Sequence, residues 1–217
     1  MDARFASHNT HLQGLDVFDN MDPHLVQMRE QPYAYISPIL GEMENLGSGI
    51  YTLYGGRQVG KTTLLKQWMR NLVADHKPKE AVAYFTGELI GDHHALVVLL
   101  QEHLKNAKVR NPVIIVDEVT YIKDWDKGVK FLADAGDLKE VVLMLTGSDS
   151  VLIQEARMRL PGRRGTGDIV DFHLYPLGFG EFVALKRKRS PDDVDDKNLG
   201  NDFEEYLVHG GFLTAIN

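Results

Sequence analysis

The chain has 217 residues, 43% of them hydrophobic, a formal net charge of −7 and no cysteine. That length holds one sizeable domain with room for a short appendage; the missing cysteines exclude disulfides and thiolate metal sites. The acidic balance argues against a molecule that binds nucleic acid by charge alone, although a local basic patch stays open.

No apolar run reaches membrane-spanning length, and no apolar segment follows Met1-Asp2-Ala3-Arg4-Phe5, so a cytoplasmic protein that makes no membrane contact is expected. Residues 1–22 are polar and unpatterned and read as a loosely ordered N-terminal segment. Residues 25–46 look helical, with breaks near Pro32 and Pro38. Beyond them, short β-branched runs alternate with amphipathic stretches, which predicts α/β architecture around a mostly parallel sheet. Strands are expected at about 50–54, 81–85, 113–117, 141–146 and 168–174, and helices at about 61–74, 93–106, 124–135, 149–157, 178–187 and 201–208. Residues 113–117 are almost purely aliphatic, as a central strand covered on both faces requires.

The first strand runs into Gly55-Gly56-Arg57-Gln58-Val59-Gly60-Lys61-Thr62-Thr63, a complete G-x-x-x-x-G-K-T loop between a strand and a helix. Its glycines allow the backbone to curl so that N–H groups face phosphate oxygens, and the helix that follows adds partial positive charge. Lys61 is expected to reach the β- and γ-phosphates of a nucleoside triphosphate, and the Thr62 hydroxyl to join a Mg²⁺ shell. The segment at 25–46 is expected to pack beside that nucleotide, with Tyr33, Tyr35 and Ile36 either touching its base or packing internally.

Val113-Ile114-Ile115-Val116-Asp117-Glu118 places two acids at the C-terminal end of a buried strand, where open α/β sheets bind ligands. Asp117 suits Mg²⁺ and Glu118 suits the water that attacks a γ-phosphate. The Asp-Glu pair favours hydrolysis over phosphoryl transfer to a metabolite. Val141 to Thr146 read as a further strand ending in Gly147-Ser148-Asp149. Thr146 and Ser148 are candidates for sensing the γ-phosphate, while Ser148 or Asp149 would equally cap a following helix.

Three decoys are read plainly. His93 and His94 suit a polar helix start better than a metal site. Lys186-Arg187-Lys188-Arg189 suits a solvated helix end, backed by the acids at 192–196. Trp68 and Trp125 read as packing residues.

Taken in order, these segments resemble the AAA+ branch of P-loop ATPases, and within it the bacterial and archaeal ATPases that pair this module with a C-terminal domain of unknown function. Leu53 to Leu65, Val116-Asp117-Glu118-Val119-Thr120 with Trp125, and Leu145-Thr146-Gly147-Ser148 carry the likeness. So do Leu160-Pro161-Gly162-Arg163-Arg164-Gly165 and Tyr175-Pro176-Leu177-Gly178-Phe179-Gly180-Glu181-Phe182. The resemblance implies a three-layer P-loop sandwich with a five-stranded sheet, ATP rather than GTP, Mg²⁺, and hydrolysis to ADP and phosphate. It implies that Glu118 activates water, that Thr146 and Ser148 form the sensor segment, and that Arg163 or Arg164 acts as a finger or sensor. The plainer reading of the two arginines is a surface turn with local ion pairs.

The expected division is the segment 1–22, an ATPase domain over 23–190, and at 191–217 the start of a C-terminal helical region cut short before an effector domain. Expected partners are nucleotide and either a second copy or an effector protein. The alternative function is a nucleotide-dependent switch with negligible turnover. A nucleic-acid-remodelling ATPase is a third reading, to which the charge lends no support.

Overall fold

The computed structural model describes residues 1–147, 160, 162, 164, 169–189 and 199–217. Five parallel strands, β1 (Gly49–Tyr54), β2 (Val82–Thr86), β3 (Val113–Asp117), β4 (Val142–Gly147) and β5 (Asp171–His173), form one sheet in the order β2-β3-β4-β1-β5. The strand expected at 168–174 is therefore shorter than its pattern, while the helix expected at 149–157 lies outside the described residues.

Side chains alternate across each strand, and the alternation builds two cores. One face carries Ala83, Phe85, Ile114, Val116, Leu143 and Leu145. Against it pack α5 (His93–Ala107) and α6 (Trp125–Ala135), through residues such as Leu96, Leu100, Val129 and Leu132. The other face carries Tyr51, Leu53, Tyr84, Ile115 and Met144, covered by α4 (Lys61–Ala74) through Leu64, Leu65, Trp68 and Met69. The fold is thus the expected three-layer α/β sandwich. Trp68 is buried and its indole N–H donates to the Met43 carbonyl at 2.9 Å; Trp125 is buried in the opposite core. His93 opens α5, whose N-cap Asp92 accepts from the Ala95 N–H at 2.9 Å.

The N-terminal segment is a correction. Residues expected to be loose instead form a 3-10 helix (Ala3–Leu12) and the helix α1 (Leu15–Met21), with Phe5, Asn9, His11 and Phe18 buried. β2 lies at the edge of the sheet and presents unpaired main-chain groups, which need a cover. Asn9 supplies it as a surrogate peptide: its Nδ2 donates to the Tyr84 carbonyl and its Oδ1 accepts from the Tyr84 N–H, each at 2.8 Å. His11 Nε2 meets the Val82 carbonyl at 2.9 Å, two residues back along the same strand edge. Sequence polarity here reflects edge pairing rather than disorder.

α2 (Pro23–Glu30) starts on Asp22, which accepts from the His24 and Leu25 N–H groups, and has proline at its first turn. Asp22 also pairs with Lys66 of α4 at 3.2 Å, both side chains about 1% exposed. α3 (Ile39–Glu42) follows after a non-helical stretch that contains Pro32 and Pro38, close to the expected breaks.

At the other end, α7 (Phe179–Arg189), α8 (Leu199–His209) and α9 (Leu213–Ile216) complete the described elements. Lys186 does not face solvent alone: its ammonium binds Asp202 at 2.6 Å and Glu205 at 2.8 Å, both on α8. Among the described residues, no helix is long and apolar enough to cross a membrane.

Candidate nucleotide site

Parallel strands that enter the sheet together leave it together, so the ends of β1, β2, β3 and β4 share one edge. The loop from Gly55 to Thr63 leaves β1 at that edge and turns into α4. Two residues in it have left-handed backbone, Gln58 with φ 61° and Gly60 with φ 97°, Gly60 being the N-cap of α4. For Gln58 this conformation costs about 1–2 kcal/mol, and strain of this kind marks sites where function constrains the chain. Gly55 is required for a different reason. A Cβ there would lie 2.3 Å from the Leu174 carbonyl oxygen, just past β5.

Lys61, 5% exposed, folds over the loop and donates to the Gly55 and Gly56 carbonyls at 3.2 and 3.0 Å. Its ammonium lies 3.8 Å from Glu118 Oε1. Burial pulls this lysine below its ordinary pKa, while the charges of Glu118 and Asp117 oppose the shift.

Asp117, buried at the end of β3, is the hub. Its Oδ2 accepts from Thr62 Oγ1 at 2.7 Å and from the Tyr84 hydroxyl at 2.5 Å. Its Oδ1 accepts from the Thr146 hydroxyl and from the Glu118 N–H, the latter at 3.1 Å. The same N–H reaches Thr146 Oγ1 at 3.1 Å. The structure therefore gathers Lys61, Thr62, Asp117, Glu118 and Thr146, which the sequence scatters over 86 positions. A hydroxyl and a carboxylate in contact are hard oxygen donors, the kind that Mg²⁺ takes together with phosphate and water oxygens. The Thr62–Asp117 pair fits that ion.

Glu118 adopts a left-handed conformation, φ 51°. This turns the chain out of β3 one residue after Asp117. Gly87, after β2, lies against that turn so closely that a Cβ would sit 2.3 Å from the Glu118 carbonyl oxygen. Ser148 and Arg163 lie outside the described residues. Arg164 does not reach the site: its guanidinium binds Asp171 and, at 2.8 Å, the Val170 carbonyl beside β5. It also forms a bridge to Ile50 near the start of β1, away from the strand ends that carry the loop. Within the described residues Arg164 thus makes a local ion pair.

Two contributors escaped the sequence reading. Tyr84 sits in mid-strand, where an aromatic residue is expected to pack, yet its hydroxyl touches Asp117. Burial and the Asp117 charge push its phenol well above the ordinary tyrosine range, so it stays protonated and donates. Gly87 follows a strand end, and the shared edge of a parallel sheet was the signal available for it.

Beside the loop lies a cavity walled by Thr63 and Gln67 of α4, Gln27 of α2, Tyr33, Tyr35 and Leu213. Tyr33 and Tyr35 thus line a cavity beside the phosphate loop, whereas Ile36 is mostly exposed and lines a separate groove. Residues 33–35 are tied at this cavity to distant parts of the sequence. The Tyr33 N–H donates to Asn217 Oδ1 at 2.7 Å, Asn217 Nδ2 returns to the Tyr33 carbonyl at 3.2 Å, and the Tyr35 hydroxyl donates to Glu181 at 2.5 Å.

No match is found among curated protein sequences. Among solved structures, the chain is similar to the ORC2 protein of Aeropyrum pernix in its ADP form, with 16% identity and a TM-score of 0.50, over 94% of this chain and 59% of that one. It is also similar to the Walker-type ATPase PABY2304 of Pyrococcus abyssi, with 12% identity and a TM-score of 0.49, over 96% of this chain and 64% of that one. A third is CDC6P of Pyrobaculum aerophilum, with 15% identity and a TM-score of 0.47, over 88% and 51%. The chain spans between about half and two thirds of the length of these structures. A family model described as "AAA domain" matches residues 47–183, which run from just before β1, through the phosphate loop and the Asp117 hub, into α7. The chain belongs to the AAA domain family of P-loop proteins.

Proposed function

We propose that this domain binds ATP with Mg²⁺ and hydrolyses it to ADP and phosphate, and that the cycle drives or regulates an effector domain or a partner protein. The observation that carries the reading is the meeting of Lys61, Thr62, Asp117, Glu118 and Thr146 at one sheet edge, within hydrogen-bonding or ion-pair distance of one another. Lys61 supplies a buried positive charge for the β- and γ-phosphates. Gly55 to Thr63 wrap the phosphates with main-chain groups. Thr62 and Asp117 hold the Mg²⁺, which when bound offsets phosphate charge.

Glu118 orients the attacking water and accepts its proton. Thr146, bonded to both Asp117 and the Glu118 N–H, keeps these acids in register. Ser148 and Arg163 are proposed to add γ-phosphate sensing and transition-state charge, Arg163 in its own subunit or to a neighbour in a homo-oligomer. The cavity beside Tyr33 and Tyr35 receives the base. A cytoplasmic location and a C-terminal effector of unknown function, as in the ATPases that the motifs resemble, belong to the same proposal.

The test is nucleotide binding by calorimetry with Mg²⁺ present. Lys61→Ala should weaken ATP binding by roughly 10- to 100-fold, the scale of a charge-assisted contact; unchanged affinity would remove the phosphate-loop assignment. One observation favours the switch reading as second choice. Glu118 faces Lys61 at 3.8 Å, so a carboxylate engaged by the lysine rather than by water would give binding with negligible turnover.

A further inference from the structure

The N-terminal segment and the Asp117 hub meet at one side chain. Tyr84 has its main chain pinned by Asn9, through two bonds of 2.8 Å. Its ring lies under the Lys66 ammonium, 3.9 Å from the centroid. That ammonium is itself fixed by the His8 carbonyl at 2.7 Å and by Asp22 at 3.2 Å. His8 also stacks on the Tyr84 ring, with centroids 5.6 Å apart. Every one of these restraints except the lysine comes from the first 22 residues. The hydroxyl at the far end of the ring donates to Asp117 Oδ2, the oxygen that also accepts from Thr62.

We infer that Tyr84 is a positioning residue for the metal-holding carboxylate of Asp117, and that the N-terminal segment, through Asn9 and Lys66, holds Tyr84 in place. The inference rests on the reading of Asp117 and Thr62 as the Mg²⁺ pair. Asp117 Oδ1 is held by the Thr146 hydroxyl and the Glu118 N–H, whereas Oδ2 has, besides Tyr84, only Thr62, a side chain that Mg²⁺ would engage as well. The Tyr84 hydroxyl reaches Oδ2 from a different strand and adds a bond that does not depend on Thr62, so the carboxylate is held at both oxygens. Groups that orient metal ligands in this way typically set metal affinity by 10- to 100-fold. The ring has a separate packing role under Lys66, which a phenylalanine keeps.

The experiment titrates Mn²⁺ into protein saturated with ADP and reads bound Mn²⁺ by electron paramagnetic resonance, alongside ADP affinity without metal and the thermal midpoint. Tyr84→Phe should raise the Mn²⁺ dissociation constant by roughly tenfold, leaving metal-free ADP affinity and the midpoint near wild type. Asn9→Ala keeps the hydroxyl but frees its strand, and should shift the Mn²⁺ constant in the same direction by a smaller factor. It carries the test if Tyr84→Phe does not fold. Asp117→Asn separates this inference from the reading beneath it. If Asp117→Asn weakens Mn²⁺ binding while Tyr84→Phe and Asn9→Ala do not, the positioning role is wrong and the metal assignment stands. If Asp117→Asn has no effect, the metal assignment itself fails.

Discussion

The phosphate side of the site and the N-terminal cover of the sheet are built on opposite plans. At the phosphate side, contiguous residues do most of the work: Gly55 to Thr63 form a single turn, and Asp117 and Glu118 end one strand. At the cover, single residues far apart in sequence act together, with Asn9, Asp22, Lys66 and Tyr84 meeting across three segments. Backbone geometry dominates the first, so it leaves a motif. Buried polar pairing dominates the second, and it leaves isolated polar residues that look like any surface. The two plans join at Tyr84, so damage to the cover should reach the phosphate side.

Substitutions can break or sharpen this contrast. Largest should be Lys66→Met, which leaves Asp22 buried without its ammonium. Losing one partner of a buried pair costs about 3–5 kcal/mol, to be read as lost unfolding free energy in urea. A loss below about 1 kcal/mol would make the N-terminal segment an appendage after all. Next is Gly55→Ala, which introduces the clash with the Leu174 carbonyl. Overpacking of this kind costs about 1–3 kcal/mol, and ATP affinity should fall with stability because the loop itself must shift. An intact loop with wild-type affinity would show that this glycine is not needed for close approach.

The smallest effect concerns pH. Burial holds His11 below its ordinary value of 6.5, so the unfolded chain takes up its proton first as the medium acidifies. Above pH 6.5 both states are neutral and His11 contributes no slope; as pH falls below that value, toward the lower folded pKa, stability is lost. His8, His24 and His103 are shifted the same way, also mainly by burial. The thermal midpoint should therefore decline below about pH 6.5, and His11→Asn should flatten part of that decline. An unchanged slope would mean that His11 is not protected in the folded state.

The contrast also explains what the sequence alone disclosed. The sheet, its three layers and the phosphate loop were legible, because aliphatic runs such as Val113 to Val116 and the glycine-lysine-threonine pattern each have a direct physical cause. The placement of Asp117, Glu118 and Thr146 at one edge was legible once parallel strands were assumed. Tyr84 was not, since a mid-strand tyrosine gives no sign of whether its hydroxyl or its ring matters. Residues 1–22 misled for a related reason. Asn9 and His11 are polar because they complete the edge of β2, and nothing in their composition separates that role from solvation. The contact of Asn217 with Tyr33 joins residues near opposite ends of the chain, beyond the reach of any local pattern.

Glu118 carries the central claim of ATP hydrolysis. The most direct measurement is phosphate release from ATP and Mg²⁺ over a range of protein concentrations, wild type against Glu118→Gln. The account predicts turnover in the wild type and a fall of at least about 100-fold in the variant, with ATP affinity retained; turnover per chain that rises with concentration would add a neighbour's contribution. Turnover that survives in Glu118→Gln, or none in the wild type at any concentration despite tight ATP binding, would contradict it.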